Sequence, residues 1–272
     1  MDIRNIVVGL NVEMDQPELL SLAVDLATQH KATLTGFSSA QPPVTTTVGA
    51  GDVAGALYVE QMQVIEQGVA RAKEHFLAAV PDTIAHKWVG GVQWPANGLI
   101  DLARTTDLIV LGASENKGQD AASAIDIGEV LLGAGRPVLI AAEGAGKVVG
   151  DKIVVAWKDT KEARRAIVDA LPFLKAASDV QVLVIDEGNL ASERASMQDA
   201  VAWLQSHDVK ARGDVLPNEG GVAETIAKAA KDAGADLIVS GAYGHSRLRQ
   251  WLVGGMTRGL LGTNGIHRLL SN

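Results

Sequence analysis

Residues 235–261, ADLIVSGAYGHSRLRQWLVGGMTRGLL, carry the pattern from which the rest of the chain is read. Leu237, Ile238 and Val239 form a short apolar run followed at once by a small residue and a glycine. That predicts a strand buried on both faces of a parallel sheet. Gly241 and Gly244 come next, then a loop with His245, Arg247 and Arg249. Gly254-Gly255 and Met256-Thr257-Arg258 follow, where a helix is expected to begin. Strand, glycine-rich loop and helix start is the order a phosphate site needs. Glycine lets backbone approach an anion, and the free N–H groups of a helix N-terminus point at it with the helix dipole behind them. Scattered glycines alone would mark only a tight turn; their order and the local basic charge favour an anion.

The spacing is Gly241-x-x-Gly244, nine residues 245–253, then Gly254-Gly255-Met256-Thr257. It resembles the ATP-binding loop of universal stress proteins. The resemblance implies a small nucleotide, ATP with or without Mg²⁺, held in the second half of the chain. By that resemblance Gly241, Gly244, Gly254, Gly255, Met256 and Thr257 would cradle phosphates, with His245 as a neutralising neighbour. Ala156, Trp157 and Val184 would line the base pocket. The chain departs from the family where an acidic residue usually follows the first strand: Lys158 stands there, with Asp159 one place along. A lysine cannot accept from ribose hydroxyls as a carboxylate can, but it could reach a phosphate. Gly255 replaces a small hydroxyl residue, while Thr257 keeps the second hydroxyl.

Composition narrows the alternatives. The 272 residues are 47% hydrophobic and 21% charged, which suits one large or two ordinary globular domains. Aromatics are only 4%, as expected of small-residue helices on aliphatic strands. The absence of cysteine excludes disulfides, thiolate metal sites and a cysteine nucleophile. The N-terminal MDIRNIVVGL lacks a signal-peptide pattern and no run has the length of a membrane span, so a cytoplasmic protein is expected. A net charge of −8 without basic blocks argues against a nucleic-acid partner.

An internal repeat organises the whole chain. IVV at residue 6 recurs at 153, an offset of 147, and DLIV at 107 recurs at 236, an offset of 129. The first half therefore carries 18 more residues between these strands, placed in the Pro/Gly/Thr-rich segment 38–55, which is expected to be a long loop. Strands are expected at 6–8, 33–37, 87–89, 108–111 and 137–140, with helices at 18–28, 58–80, 95–105 and 127–132. In the second half, strands are expected at 153–156, 180–185, 211–215 and 237–240, and helices at 162–171, 192–206 and 222–233. The tail 265–270 reads as a weaker or edge strand, since His267-Arg268 replaces Pro137-Val138.

The expected fold is α/β: two repeated domains, 1–146 and 147–272, each a five-stranded mainly parallel sheet flanked by helices, packed as a pseudo-dimer. In such sheets ligands bind beyond the strand C-termini at the switch in strand order. At offset 129, Gly244, Gly254 and Gly255 correspond to Glu115, Ile125 and Asp126, so the first domain's loop is expected not to bind nucleotide. The five histidines other than His245 lack metal-ligand spacing. Trp88, Trp94, Trp203 and Trp251 are expected in core or interface, and Asp107 and Asp236 to cap or end helices.

The resemblance implies a stress-response protein that binds a nucleotide for regulation, with at most slow ATP hydrolysis and no assigned catalytic residue or metal site. A nucleotide-free protein-interaction module of the same fold is the alternative. An adenylating enzyme is a third, but 157–160 lacks the Ser-Gly-Gly-x-Asp-type loop of that class. Expected partners are the nucleotide, partner proteins and, beyond the pseudo-dimer, a second copy of the chain.

Overall fold

The computed structural model describes residues 2–42, 51–113, 123–144, 150–218, 221–242 and 265–272. It divides into two compact units, Arg4–Ala134 and Gly135–Asn272, the second taking in Met1–Ile3.

The Arg4–Ala134 unit runs β1 (Asn5–Leu10), α1 (Pro17–His30), β2 (Thr33–Ala40), α2 (Gly51–Ala79), β3 (His86–Val92), α3 (Pro95–Leu102), β4 (Leu108–Gly112) and α4 (Ile127–Gly133). Its strands lie in the order β3-β2-β1-β4, all parallel. The other unit runs β5 (Val138–Ala141), β6 (Lys152–Ala156), α5 (Lys161–Asp169), α6 (Leu171–Ala176), β7 (Asp179–Asp186), α7 (Leu190–Ser206), β8 (Ala211–Pro217), α8 (Val222–Ala233), β9 (Leu237–Gly241) and β10 (His267–Ser271). There the order β8-β7-β6-β9 repeats the first unit's four strands, and β10 and β5 extend it beyond β9. Only β5 is antiparallel, to β10.

Each half-sheet switches direction of chain travel beside its first strand: β1 lies between β2 and β4, and β6 between β7 and β9. Leu237, Ile238 and Val239 are fully buried, as a parallel strand covered on both faces must be. Ile238 packs with Ile226 and Ala230 of α8. Gly241, of opposite parity, faces α5: a Cβ there would lie 2.6 Å from the Ala163 nitrogen, so only glycine fits. The first turn of α5 is capped by Thr160, whose Oγ1 accepts from the Ala163 N–H at 3.2 Å.

Five expectations from the sequence are corrected. Strand 137–140, expected as the fifth strand of the first domain, belongs as β5 to the Gly135–Asn272 unit, so among the described residues the units hold four and six strands rather than five each. The segment 38–55 is not all loop: Ser38, Ser39 and Ala40 prolong β2 by pairing with Gly90, Gly91 and Val92, and α2 begins at Gly51. Neighbouring backbone overrides weak local propensity there. The helix expected at 162–171 is two helices, because Pro172 starts a new one. The tail strand is no edge: β10 is hydrogen-bonded on both sides, and His267 and Arg268 are 1% and 2% exposed. The Ala142 N–H donates to His267 Nδ1 at 3.4 Å, and burial pushes the Arg268 guanidinium down to about 10. Asp107 and Asp236 do not cap helices. Asp107 Oδ2 accepts from the Arg4 and Asn5 N–H groups, both at 2.9 Å, and Asp236 Oδ2 from the Gly150 N–H at 2.7 Å. Each pins the chain just before or at the start of a neighbouring strand. Of the tryptophans, Trp94 is exposed; Trp251 lies outside the described residues.

Candidate functional site

A cavity of about 240 Å³ opens at the C-terminal ends of β6, β7 and β9. It sits where the strand order switches, the place at which open α/β sheets take ligands. Its apolar lining comes from Ala156 and Trp157 after β6, Val184 and Ile185 at the end of β7, and Val222 and Ile226 of α8. Ser240 and Gly241 line it from β9. Polar groups come from Lys158 to Thr160 and from Glu187, Asn189, Ser192, Glu193 and Ser196 around the start of α7.

The segment after β6 is held in shape by its own hydrogen bonds. The Trp157 N–H donates to the Leu183 carbonyl at 2.8 Å and the Thr160 N–H to the Lys158 carbonyl at 2.7 Å. Arg164 grips Asp159 through Nε at 3.0 Å and Nη2 at 2.6 Å. Lys158 does not lie free: its Nζ pairs with Glu187. The Glu187 N–H in turn donates to Glu193 Oε1 at 3.1 Å. The half-exposed Lys158–Glu187 pair thus lies at the rim, and Lys158 brings no unneutralised charge to it.

Five of the sequence-predicted site residues, Ala156, Trp157, Lys158, Val184 and Gly241, come together here. Gly244, His245, Gly254, Gly255, Met256 and Thr257 lie outside the described residues, as does Glu115. The sequence missed Ser240, Glu187 and Glu193. Ser240 stood in plain view, since at offset 129 it replaces Leu111; the two glutamates sit in a β7–α7 connection with no motif to mark them.

The corresponding place in the first unit is filled. Gly9 corresponds to Ala156, and a Cβ on it would lie 2.6 Å from Leu111 Cδ2 and 3.0 Å from Ile125 Cδ1. Ile125, the counterpart of Gly254, is fully buried. Asp126, the counterpart of Gly255, caps α4 by accepting from the Glu129 N–H at 3.0 Å. Ser123 and Asn11 close the spot further: Ser123 Oγ donates to Glu13 Oε1 at 2.6 Å, and Asn11 Nδ2 to the Ser123 carbonyl at 3.3 Å. The first unit has instead a polar groove between the β1–α1 connection and α2, lined by Asn11, Glu13, Asp15, Arg71 and His75.

Among the described residues no group of three or more His, Asp or Glu side chains could hold a metal ion, and no helix is long and apolar enough to cross a membrane.

No family model and no curated protein matches the chain. Solved structures do. A universal stress protein from Archaeoglobus fulgidus superposes over 98% of this chain and 96% of its own, at 13% identity and a TM-score of 0.71. A functionally unknown protein from Pseudomonas aeruginosa covers 99% of this chain and 92% of its own, at 18% identity and 0.58. The cytoplasmic domain of a prokaryotic cation chloride cotransporter covers 98% and 95%, at 15% identity and 0.54. The chain therefore has the α/β, mainly parallel, Rossmann-like fold seen in universal stress proteins.

Proposed function

We propose that the chain is a tandem-domain protein of the universal stress protein kind that binds one ATP, with or without Mg²⁺, in its second domain, residues 147–272. Residues 1–146 are then the degenerate partner domain. The observation that supports this most is the cavity at the ends of β6, β7 and β9, where Ala156, Trp157 and Val184 meet Ser240 and Gly241 directly before the glycine-rich segment. The base would enter the apolar part. The phosphates would run toward Gly244, His245, Gly254, Gly255, Met256 and Thr257, the loop that resembles the family's. The role is regulatory, with at most slow hydrolysis.

Calorimetric titration of ATP into the wild type and Gly244→Glu, with and without Mg²⁺, tests this. One site per chain, lost in the variant, is the expected result; no heat in nucleotide-free wild type overturns it. The second reading, a nucleotide-free interaction module, is favoured by the Lys158–Glu187 ion pair, which occupies the rim with no ligand needed to satisfy it. A cytoplasmic location and further pairing of chains belong to the same proposal.

A further inference from the structure

Three buried polar atoms without a hydrogen-bond partner belong to residues that line the one cavity: Trp157 Nε1, Ser240 Oγ and Glu193 Oε2. Leaving a buried polar group unpaired forfeits its hydration without return, so native proteins keep few of them without a use. The first-unit groove, though more polar, has none among its lining residues. The first unit also has leucines, Leu10 and Leu111, at the positions of Trp157 and Ser240. Three such atoms thus belong to residues around the second-unit cavity, while others, such as Ser38 Oγ and Ser39 Oγ, lie elsewhere.

Their chemistry differs in a way that defines a ligand. The indole N–H is a donor only, the serine hydroxyl is donor and acceptor, and the free carboxylate oxygen is an acceptor only. Trp157 and Ser240 are 7% and 5% exposed, whereas Glu193 is half-buried at the first turn of α7. A flat heteroaromatic ring with acceptor atoms suits the deeper pair and the apolar lining. A hydroxylated group suits the acceptor-only carboxylate at the start of α7. Glu193 is already positioned for this, since its other oxygen accepts from the Glu187 N–H.

We propose that Trp157 and Ser240 read the base, and Glu193 the sugar hydroxyls, of the nucleotide bound in this cavity. Glu193 thereby supplies, from the start of α7, the carboxylate that Lys158 displaces after β6. This rests on the nucleotide-binding reading above and adds the residues that select the nucleoside.

The test is titration of ATP and 2′,3′-dideoxy-ATP into the full chain and its Trp157→Phe, Ser240→Ala and Glu193→Gln variants, with the thermal midpoint of each ligand-free protein. ATP affinity is expected to fall about tenfold in each variant, the equivalent of one hydrogen bond. Wild type should bind the dideoxy nucleotide about tenfold more weakly than ATP, and Glu193→Gln, whose amide oxygen accepts without charge, should narrow that gap. The ligand-free Ser240→Ala midpoint should not drop, because that change removes an unpaired hydroxyl; a merely structural serine would lower it. If wild type binds ATP and Trp157→Phe and Ser240→Ala bind it equally well, this inference fails and the nucleotide reading stands. If Glu193→Gln discriminates against the dideoxy analogue as strongly as wild type does, the sugar assignment fails. If wild type binds no ATP, the nucleotide reading fails and takes this one with it.

Discussion

The ends of β1 and β4 and the ends of β6 and β9 share one strand order and one register, yet one junction is packed solid and the other holds a cavity. The backbone hardly differs in plan: Ile6 pairs with Leu108 as Ile153 pairs with Leu237. Side-chain volume differs. Leu111 and Ile125 fill the first junction and force glycine at position 9, whereas Ser240 leaves the second open and Ala156 carries its Cβ without conflict. Interiors are packed to crystal-like density, so the exchange of a leucine for a serine at a strand end helps decide between packed core and open cavity. A fold can thus keep its architecture and gain or lose a binding site through two or three side chains.

Substitutions that move each junction toward the other break or sharpen this contrast. Leu111→Ala removes a fully buried side chain and should lower stability by about 2–5 kcal/mol in urea denaturation, without creating ATP binding. A negligible loss would mean that the first junction is not packed as described. Ser240→Leu copies the filled junction into the open one; its ATP affinity should fall at least about a hundredfold, roughly 2.7 kcal/mol, with folding retained. Unchanged calorimetric binding would show that the ligand sits elsewhere. Gly9→Ala places a methyl against Leu111 and Ile125 and should cost about 1–3 kcal/mol, while Ala156→Gly should cost only about 0.5–1. Equal effects would erase the asymmetry.

The smallest effect lies at the edge of the second unit. Arg212 grips Asp179 through two hydrogen bonds of 3.0 and 2.9 Å, where the register of the first unit sets Lys87 near Thr33. Hydrogen bonding from Arg212, aided by its charge, holds the Asp179 carboxyl below the usual carboxylate range. A depressed carboxylate adds stability above about pH 4 and loses it as pH falls through the lower folded-state value. Arg212→Met should therefore be less stable than wild type by under about 1 kcal/mol at neutral pH, a gap that closes in strong acid. A gap that widened on acidification would contradict the pairing.

The two halves were legible in the sequence to unequal degrees. Buried strands such as Leu237–Gly241 announced themselves as apolar runs, and helix α8 was placed correctly at 222–233. Ser38 to Ala40 hid because their strand identity comes from pairing with β3, not from their own propensities. His267 and Arg268 suggested an edge because charge is rarely placed in a central strand; burial there rests on partners distant in sequence. At the site, Ala156, Trp157 and Val184 followed from the family resemblance. Glu193 could not, since one glutamate among several on a helix start acquires meaning only once the fold sets it beside a cavity.

The antiparallel pairing of β5 with β10 has a consequence for how the molecule forms. Leu139 meets Leu269 across about 130 intervening residues, so closing this part of the sheet carries one of the longest loop-closure costs the chain can incur. Until β10 arrives, β5 has no hydrogen-bonded neighbour within its own unit and β9 lacks one of its two flanking strands. The assembly of Gly135–Asn272 is then a race between that late strand and any other chain offering an edge, which makes crowding during synthesis a hazard for this half above the other.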